Sequence, residues 1–343
     1  MTGAGLEAFM ATMVGSTAAV STDEAERLAR DRYGLTATAA RLTGERDENF
    51  RLTCADGTQY VLKIASAAEE PEITDLPTAA LLHLERVDPG FPCPRVVRTL
   101  EGGTLCRYRD RTGLERTVRI LTYVPGKTLR STMRSRAQRV ASGRIAARLG
   151  LALREFTHPA ARRPLIWDSR NVGRVVGLLE DLPELTEREH VMSLLERVAM
   201  VADGGWPRLR QQVIHNDLND MNLLVDPHDE AVIVGVIDFG DLVHTALVAD
   251  IAIVAADQLA AGESVRDSIA AVVMGYHETL PLLPSELDLL NPLIAGRVLT
   301  DVVIPAWHRR RNPGGTHYSD LLPETVRARV DLAAELLFMG PPL

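Results

Sequence analysis

The apolar pattern of this chain changes once, and abruptly, at Pro125-Gly126. Ahead of that break the apolar residues mostly alternate, as in strands; beyond it they recur every three to four positions, as in helices. A segment patterned for one period does not settle into the other. The 343 residues, at roughly 150 per domain, are therefore read as α+β in two parts. Residues 21–123 form an antiparallel sheet with one inserted helix, and residues 124–343 a larger, mainly helical part. Residues 1–20, rich in small side chains, form an N-terminal arm.

Local signals refine this plan. Ser21 with Glu24 is a capping box that starts a helix through Ala25, Leu28, Ala29 and Tyr33, and Gly34 supplies its left-handed end. Leu35–Thr43, Asn49–Cys54 and Thr58–Ala65 read as strands, the last two joined by a tight turn at Ala55-Asp56-Gly57. A helix over about 76–87 follows, then two or three strands ending with Thr117–Tyr123. In the second part, Ile145, Leu149, Ala152, Leu153 and Phe156 share one face of a helix ending near His158-Pro159. Two extended pieces, Leu223–Val225 and Val232–Ile237, interrupt the helices.

Composition removes several classes of function. Acidic residues outnumber basic ones, 46 to 38, for a net charge of -8. That balance excludes a globally basic nucleic-acid coat, and no nucleic-acid partner is expected. Apolar residues make up 46% and aromatics only 4%, so the core is built from Leu, Val and Ala. No apolar run approaches the roughly 18 residues a bilayer requires, and no membrane partner is expected. The first twenty residues carry no Lys or Arg ahead of an apolar stretch, unlike a secretory signal. Three cysteines without a CxxC pair, and nine histidines without ligand spacing, predict no disulfide framework and no zinc site. A reducing, cytoplasmic setting is expected.

The chemistry concentrates in His215-Asn216-Asp217-Leu218-Asn219-Asp220-Met221-Asn222 and in Ile237-Asp238-Phe239-Gly240-Asp241. The first contains H-x-D-x-x-x-x-N, and a D-F-G begins 21 residues after Asp217. Phosphoryl transfer needs one carboxylate to orient and deprotonate an acceptor hydroxyl, and oxygen ligands to hold a metal against nucleotide phosphates. Magnesium is hard and octahedral, which suits carboxylate and amide oxygens. Asp217 is assigned as the base, Asn222 and Asp238 as Mg2+ ligands, and His215 as a loop scaffold. Asp and Asn also fill turns in any protein, but two such motifs in this order, each beside an apolar strand, favour the chemical reading.

A cation for the phosphates stands in Val61-Leu62-Lys63-Ile64, where Lys63 lies within an apolar strand. Its acidic partner is placed at Asp75, with Glu72 second, in a segment that is alternatively a charged helix start. Between the first strands, Gly44 permits a tight turn and Arg46 or backbone amides reach phosphate; the alternative is an ordinary charged hairpin. The backbone of the stretch ending at Tyr123 would hydrogen-bond the purine edge of ATP or GTP, which the sequence does not distinguish.

On VLKI (61–64), LTYVPGKTL (121–129), HNDLNDMN (215–222) and IDFGD (237–241), the chain resembles the aminoglycoside phosphotransferase and choline kinase superfamily. Within it, the chain is most similar to the hydroxylysine kinase branch, through GERDENFRL (44–52), FTHPA (156–160), WD (167–168), IDFGDLVHTALVADIAI (237–253) and HRRRNPGGTHY (308–318). The resemblance implies a bilobal protein-kinase-like fold with the active site in the cleft between lobes. It also implies O-phosphorylation of a hydroxyl on a small, usually aminated metabolite with Mg2+ and ATP or GTP. Asp250, in Ala249-Asp250-Ile251-Ala252, would steady the catalytic loop. Three features depart from relatives. Asn216 stands where protein kinases carry Arg, no A-P-E follows the D-F-G, and Pro77 replaces an expected polar helix residue.

For the acceptor, Asp220, Asp241 and Asp301 are candidates to attract an amine, each alternatively a solvated acid. Arg309, Arg310 and Arg311 are candidates for a substrate carboxylate, or else a solvated basic helix end. The expected substrate is a hydroxylated amine or amino acid. An aminoglycoside acceptor is the alternative, and a non-catalytic nucleotide-binding protein is a third reading that the joint presence of Lys63, Asp217, Asn222 and Asp238 disfavours.

Overall fold

The structure, a computed structural model, describes residues 20–42, 44, 47–259, 262–311 and 321–342. The expected N-terminal arm, apart from Val20, and the late segment 312–318 lie outside the described residues. Two compact units are present. One runs to Pro125 and takes in His158–Ala161; the other holds Gly126–Thr157 and the chain from Arg162 onward.

In the first unit, helix α1 (Thr22–Tyr33) begins at the capping box. Ser21 accepts from the Glu24 amide while the Glu24 side chain accepts from the Ser21 amide, and Gly34 closes the helix at φ 69°. Strands β1 (Ala37–Leu42), β2 (Glu48–Cys54), β3 (Gln59–Ile64), β4 (Cys106–Arg109) and β5 (Glu115–Thr122) form one antiparallel sheet in the order β1-β2-β3-β5-β4. The β2–β3 turn falls at Asp56-Gly57, with Gly57 at φ 85°. Alternation sends Phe50, Leu52, Leu62, Ile64, Val118 and Ile120 to one face, where they pack with Ala25, Leu28, Ala29 and Tyr33 of α1. Helix α2 (Pro71–Val87) starts five residues earlier than expected. Pro71, pre-set for the first helical turn, begins it. Pro77 is buried inside the helix.

The second unit contains α3 (Arg136–Ala152), α4 (Val172–Leu178), α5 (Arg188–Gly205), α6 (Val248–Asp257), α7 (Val265–Thr279), α8 (Pro284–Arg311) and α9 (Pro323–Phe338). α3 stops at Ala152, short of the expected end near His158. Its start is fixed by a second capping box, Ser135 with Gln138. Among the described residues, five short strands rather than two interrupt the helices. β6 (Lys127–Thr128), β8 (Leu223–Val225) and β9 (Ile233–Val236) form one sheet, and β7 (Gln211–Ile214) pairs with β10 (Val243–Ala246) in another. The unforeseen strands β6, β7 and β10 each pair with a distant segment, which local periodicity does not register. α8 packs against α5, α6 and α9 and is buried on nearly every side from Leu289 to His308, as a central helix must be. No described helix is long and apolar enough to cross a membrane.

α3 and α7 cross at a pair of glycines. A methyl group on Gly143 would lie 2.0 Å from the Val272 carbonyl oxygen, and one on Gly275 the same distance from that of Val140. Neither backbone can yield without separating the helices. Gly143→Ala is expected to cost about 3 kcal/mol, seen as a lower Tm and an earlier urea midpoint, although alanine is the better helix former.

Glu24 also ties α1 to the sheet: its carboxylate accepts from Tyr108 Oη at 3.0 Å and Arg111 Nε at 2.9 Å. Burial alone would raise its pKa, but the Ser21 amide, Arg111, Tyr108 and the Ser21 hydroxyl together hold it at about 2, below its ordinary 4.5. The folded value is the lower one, so this stabilisation is complete above about pH 4.5 and fades as pH falls toward 2. The stability gap between the native protein and Glu24→Gln should therefore stay constant from pH 7 to 5 and shrink below that, as measured by urea unfolding across pH.

Candidate active site

The loop from His215 to Asn222 leaves β7 and runs into β8. Its shape is set from behind by Asp250, in the first turn of α6. Asp250 Oδ2 accepts from the His215 amide at 3.1 Å and Oδ1 from the Asn216 amide at 2.7 Å. Asn216 sits at φ 64°, a left-handed conformation that asparagine tolerates better than most residues. Burial raises the Asp250 carboxyl to about 7, against the pull of those two amides.

His215 is fully buried. Its Nδ1 accepts from the Asp217 amide at 3.3 Å, so the ring proton is on Nε2 and is donated to the Ile237 carbonyl at 3.1 Å. The Phe239 ring meets the imidazole edge-on at 4.7 Å. Burial pushes the imidazole down to about 4 despite the nearby Asp238, so it is neutral near pH 7. His215 thus joins the two motif segments and is unsuited to proton transfer at that pH.

Asp217 is held at both oxygens. Oδ1 accepts from Asn219 Nδ2 at 2.8 Å and Oδ2 from Asn222 Nδ2 at 2.7 Å. Arg297 Nη2 stands 3.5 Å from Oδ1, and 24% of the Asp217 side chain remains open to solvent. Its deep setting raises the carboxyl well above the ordinary range; Arg297 opposes the rise, while Asp241, Asp238 and Asp257 add to it. The Asn222 carbonyl accepts from the Ile237 amide at 3.0 Å, coupling the loop to the segment that carries Asp238. Asp238 itself adopts φ 61°, a conformation that a non-glycine residue holds only where its surroundings enforce it.

The other expected acids are placed differently. Asp220, expected to attract an amine, is buried, with both carboxylate oxygens held by Arg130 Nε and Arg134 Nη2 at 2.9 Å each. It works as an internal counter-charge, which corrects the expectation. Its amide donates to Asp257, whose carboxyl is pushed up to about 6 by burial and then by Asp301 and Asp220. Asp301 Oδ1 lies 3.2 Å from Arg297 Nε. Asp241 closes a short turn after the D-F-G, where Arg163 donates to the Gly240 carbonyl at 2.6 Å. Of the basic triplet, Arg311 grips the protein's own Asp181 at 2.9 Å and stacks on Trp307 at 4.9 Å. Arg311 holds Asp181 below the ordinary carboxylate range, with help from the Trp307 N–H and the charge of Arg310. Arg309 is half-buried and Arg310 exposed.

The first unit carries the remaining candidates. Lys63 is half-buried on β3, in register with Asn49 and Arg119 and opposite in facing to Leu62 and Ile64. Arg119 on that face bonds Asp47 at 3.0 Å and the Thr74 carbonyl of α2 at 3.0 Å. Asp75, assigned to Lys63, meets His158 Nε2 at 3.4 Å, and Glu72 is exposed. A side chain on Gly44 would collide with the Asp47 carbonyl at 2.3 Å, so the turn admits only glycine. Arg46 lies outside the described residues. The Tyr123 amide donates to the Gln59 carbonyl at 3.1 Å, which leaves the Tyr123 carbonyl, and not its N–H, for a base edge.

Sequence reasoning missed Asn219, Asp257 and Arg297. Asn219 stood inside the motif as its second asparagine. Arg297 left one signal, an arginine in the middle of an apolar helix with an acid four residues on.

With this geometry in hand, comparison with known proteins is informative. The profile of the phosphotransferase enzyme family matches residues 38–282. Hydroxylysine kinase of Mus musculus is 28% identical over 301 residues, covering 81% of this chain and 80% of that protein. Homoserine kinase of Methylobacillus flagellatus is 28% identical over 250 residues, 71% of each chain. Among solved structures, an amicoumacin kinase in complex with AMP-PNP and Ca2+ shares the fold with a TM-score of 0.64. It is 15% identical and is covered over 89% of both chains.

Replacing Asp250 with Ala leaves two buried amides unpaired. Asp250→Ala should lose about 3 kcal/mol of stability and most of the turnover, read by urea unfolding and by initial rates at a temperature where the variant remains folded.

Proposed function

The chain belongs to the phosphotransferase enzyme family and is a small-molecule kinase; on that premise we propose that it transfers the γ-phosphoryl group of ATP or GTP, with Mg2+, to a hydroxyl of an aminated metabolite of the hydroxylysine type. The observation that carries this reading is the fixing of Asp217 at both oxygens by Asn219 and Asn222, with part of its surface still open. A base must be oriented first and matched in proton affinity second. Asp217 is oriented in this way, and its surroundings raise its carboxyl toward the range a base needs. The acceptor oxygen forms the new O–P bond as its proton passes to Asp217, and the bond from the γ-phosphorus to the leaving diphosphate oxygen breaks. Lys63 offsets charge on the phosphates. Both named relatives, hydroxylysine kinase and homoserine kinase, are named for hydroxylated amino acids, which supports the acceptor class.

The residues suit a hard divalent ion. Asn222 commits its Nδ2 to Asp217, leaving the amide oxygen as the ligand atom, and Asp238 supplies a carboxylate. The mutual repulsion of Asp217, Asp238 and Asp241 is what a bound cation would relieve. When bound, Mg2+ neutralises phosphate charge during transfer.

A coupled nucleotide-consumption assay tests the proposal, with ATP and GTP in parallel against hydroxylated amino acids, amino alcohols and aminoglycosides. Turnover of the first two groups, lost on chelation and restored by Mg2+, is the expected result. Turnover confined to aminoglycosides, or nucleotide binding without transfer to any acceptor, would overturn it. Asp217→Asn should lower kcat by about a thousandfold or more, with nucleotide Kd by calorimetry nearly unchanged.

A further inference from the structure

Arg297 is the most unusual charge in the second unit. It lies in the middle of α8, is 9% exposed, and stacks its guanidinium over Trp167 at 4.9 Å. A buried arginine normally has its five N–H donors taken up by carboxylates and carbonyls. Here Nη1 has no hydrogen-bond partner among the described residues. Nε, although 3.2 Å from Asp301, is not aligned for a hydrogen bond. Nη2 reaches Asp217 only at 3.5 Å, while Asn219 and Asn222 already satisfy that carboxylate at 2.8 and 2.7 Å. The base therefore does not need Arg297 for its orientation, and Arg297 keeps unpaired donors beside it.

We propose that Arg297 and Asp301, neighbours on α8, read the head group of an α-amino acid acceptor: Arg297 takes the carboxylate and Asp301 the ammonium. The inference rests on the kinase reading above and narrows it to acceptors that carry a carboxylate. An arginine–aspartate pair presents positive beside negative, and a zwitterionic head group presents the complement. The planar guanidinium, over the Trp167 ring, suits a carboxylate. Asp301 keeps 21% of its side chain exposed, so an ammonium can reach it. Asp217, Asp257 and Asp241 all act on Arg297. Without the arginine, that acidic field would reject an anionic substrate group, so Arg297 makes a carboxylate tolerable next to Asp217. The carboxylate-binding role expected of Arg309–Arg311 passes to a residue earlier on the same helix.

The test compares matched acceptors that differ only in the carboxylate: homoserine with 3-amino-1-propanol, and 5-hydroxylysine with 1,5-diamino-2-pentanol. A site built to pair a polar group rejects the analogue lacking it, so kcat/KM should favour the amino acid by about a hundredfold or more in the native enzyme. Arg297→Met should bring the ratio to within about tenfold, the amino acid losing far more than the amino alcohol. Arg297→Lys, which keeps the charge without the fork, should give an intermediate ratio. Asp301→Asn should weaken both members of each pair, since both carry the ammonium, and leave the ratio unchanged. Equal kcat/KM for the two members in the native enzyme overturns the proposal with no variant required. Equal losses on both members in Arg297→Met and Arg297→Lys overturn it too, since Arg297 would then serve Asp217 alone. In either case the kinase reading stands; it falls, and this proposal with it, if neither member of any pair is phosphorylated.

Discussion

Two hydrogen bonds accepted by one carboxylate organise the second unit's chemistry. Asp250 receives the amides of His215 and Asn216, and that grip turns the chain so that Asn216 enters a left-handed conformation and the residues after it fold back on themselves. His215 can then lie buried, with one ring nitrogen on the Asp217 amide and the other on the Ile237 carbonyl. Asp217 emerges with its carboxylate between two asparagine amides. The order of dependence runs from α6 to the loop to the Asp217 carboxylate. Asp217 is thus positioned by a helix outside the loop, which is how a rigid scaffold holds a loop in one geometry.

Around this loop the unit solves a problem of excess negative charge. Asp217, Asp220, Asp238, Asp241, Asp257 and Asp301 gather on neighbouring segments, and three arginines answer them in different ways. Arg130 and Arg134 close on Asp220 with well-formed bonds, and that pairing is finished. Arg297 stands among Asp217, Asp257 and Asp301 with donors left over. A finished ion pair contributes order; an unfinished one in the interior is costly and keeps an affinity for whatever completes it.

Much of the first unit could be read ahead of the structure because its signals are local. Ser21 and Glu24 are three residues apart, and Asp56-Gly57 makes its own turn. Helix α2 starts at Pro71, ahead of the expected 76, because Pro71 is the residue suited to a first turn. In the second unit the motif residues stood out by type and spacing, but their surroundings did not. β7 and β10 are four residues each and have meaning only as a pair. Asp220 has the same local look as any exposed acid, and its two arginines lie about ninety residues away in sequence. Arg297 was hidden by its helix, since the period that marks α8 as buried gives no account of a charge within it.

The pairing of β7 with β10 has a consequence for how the protein comes into being. Val243 is in register with Ile214, so this ladder encloses the whole span from His215 to Leu242, both motif segments included. Closing such a ring loses chain entropy before any contact inside it is gained, and pairings of this separation form late. During synthesis, then, the segment bearing Asp217 and Asp238 leaves the ribosome without its geometry and acquires it only once β10 and α6 have followed. A nascent chain cannot acquire this chemistry piecemeal; it arrives with the closing of the ring.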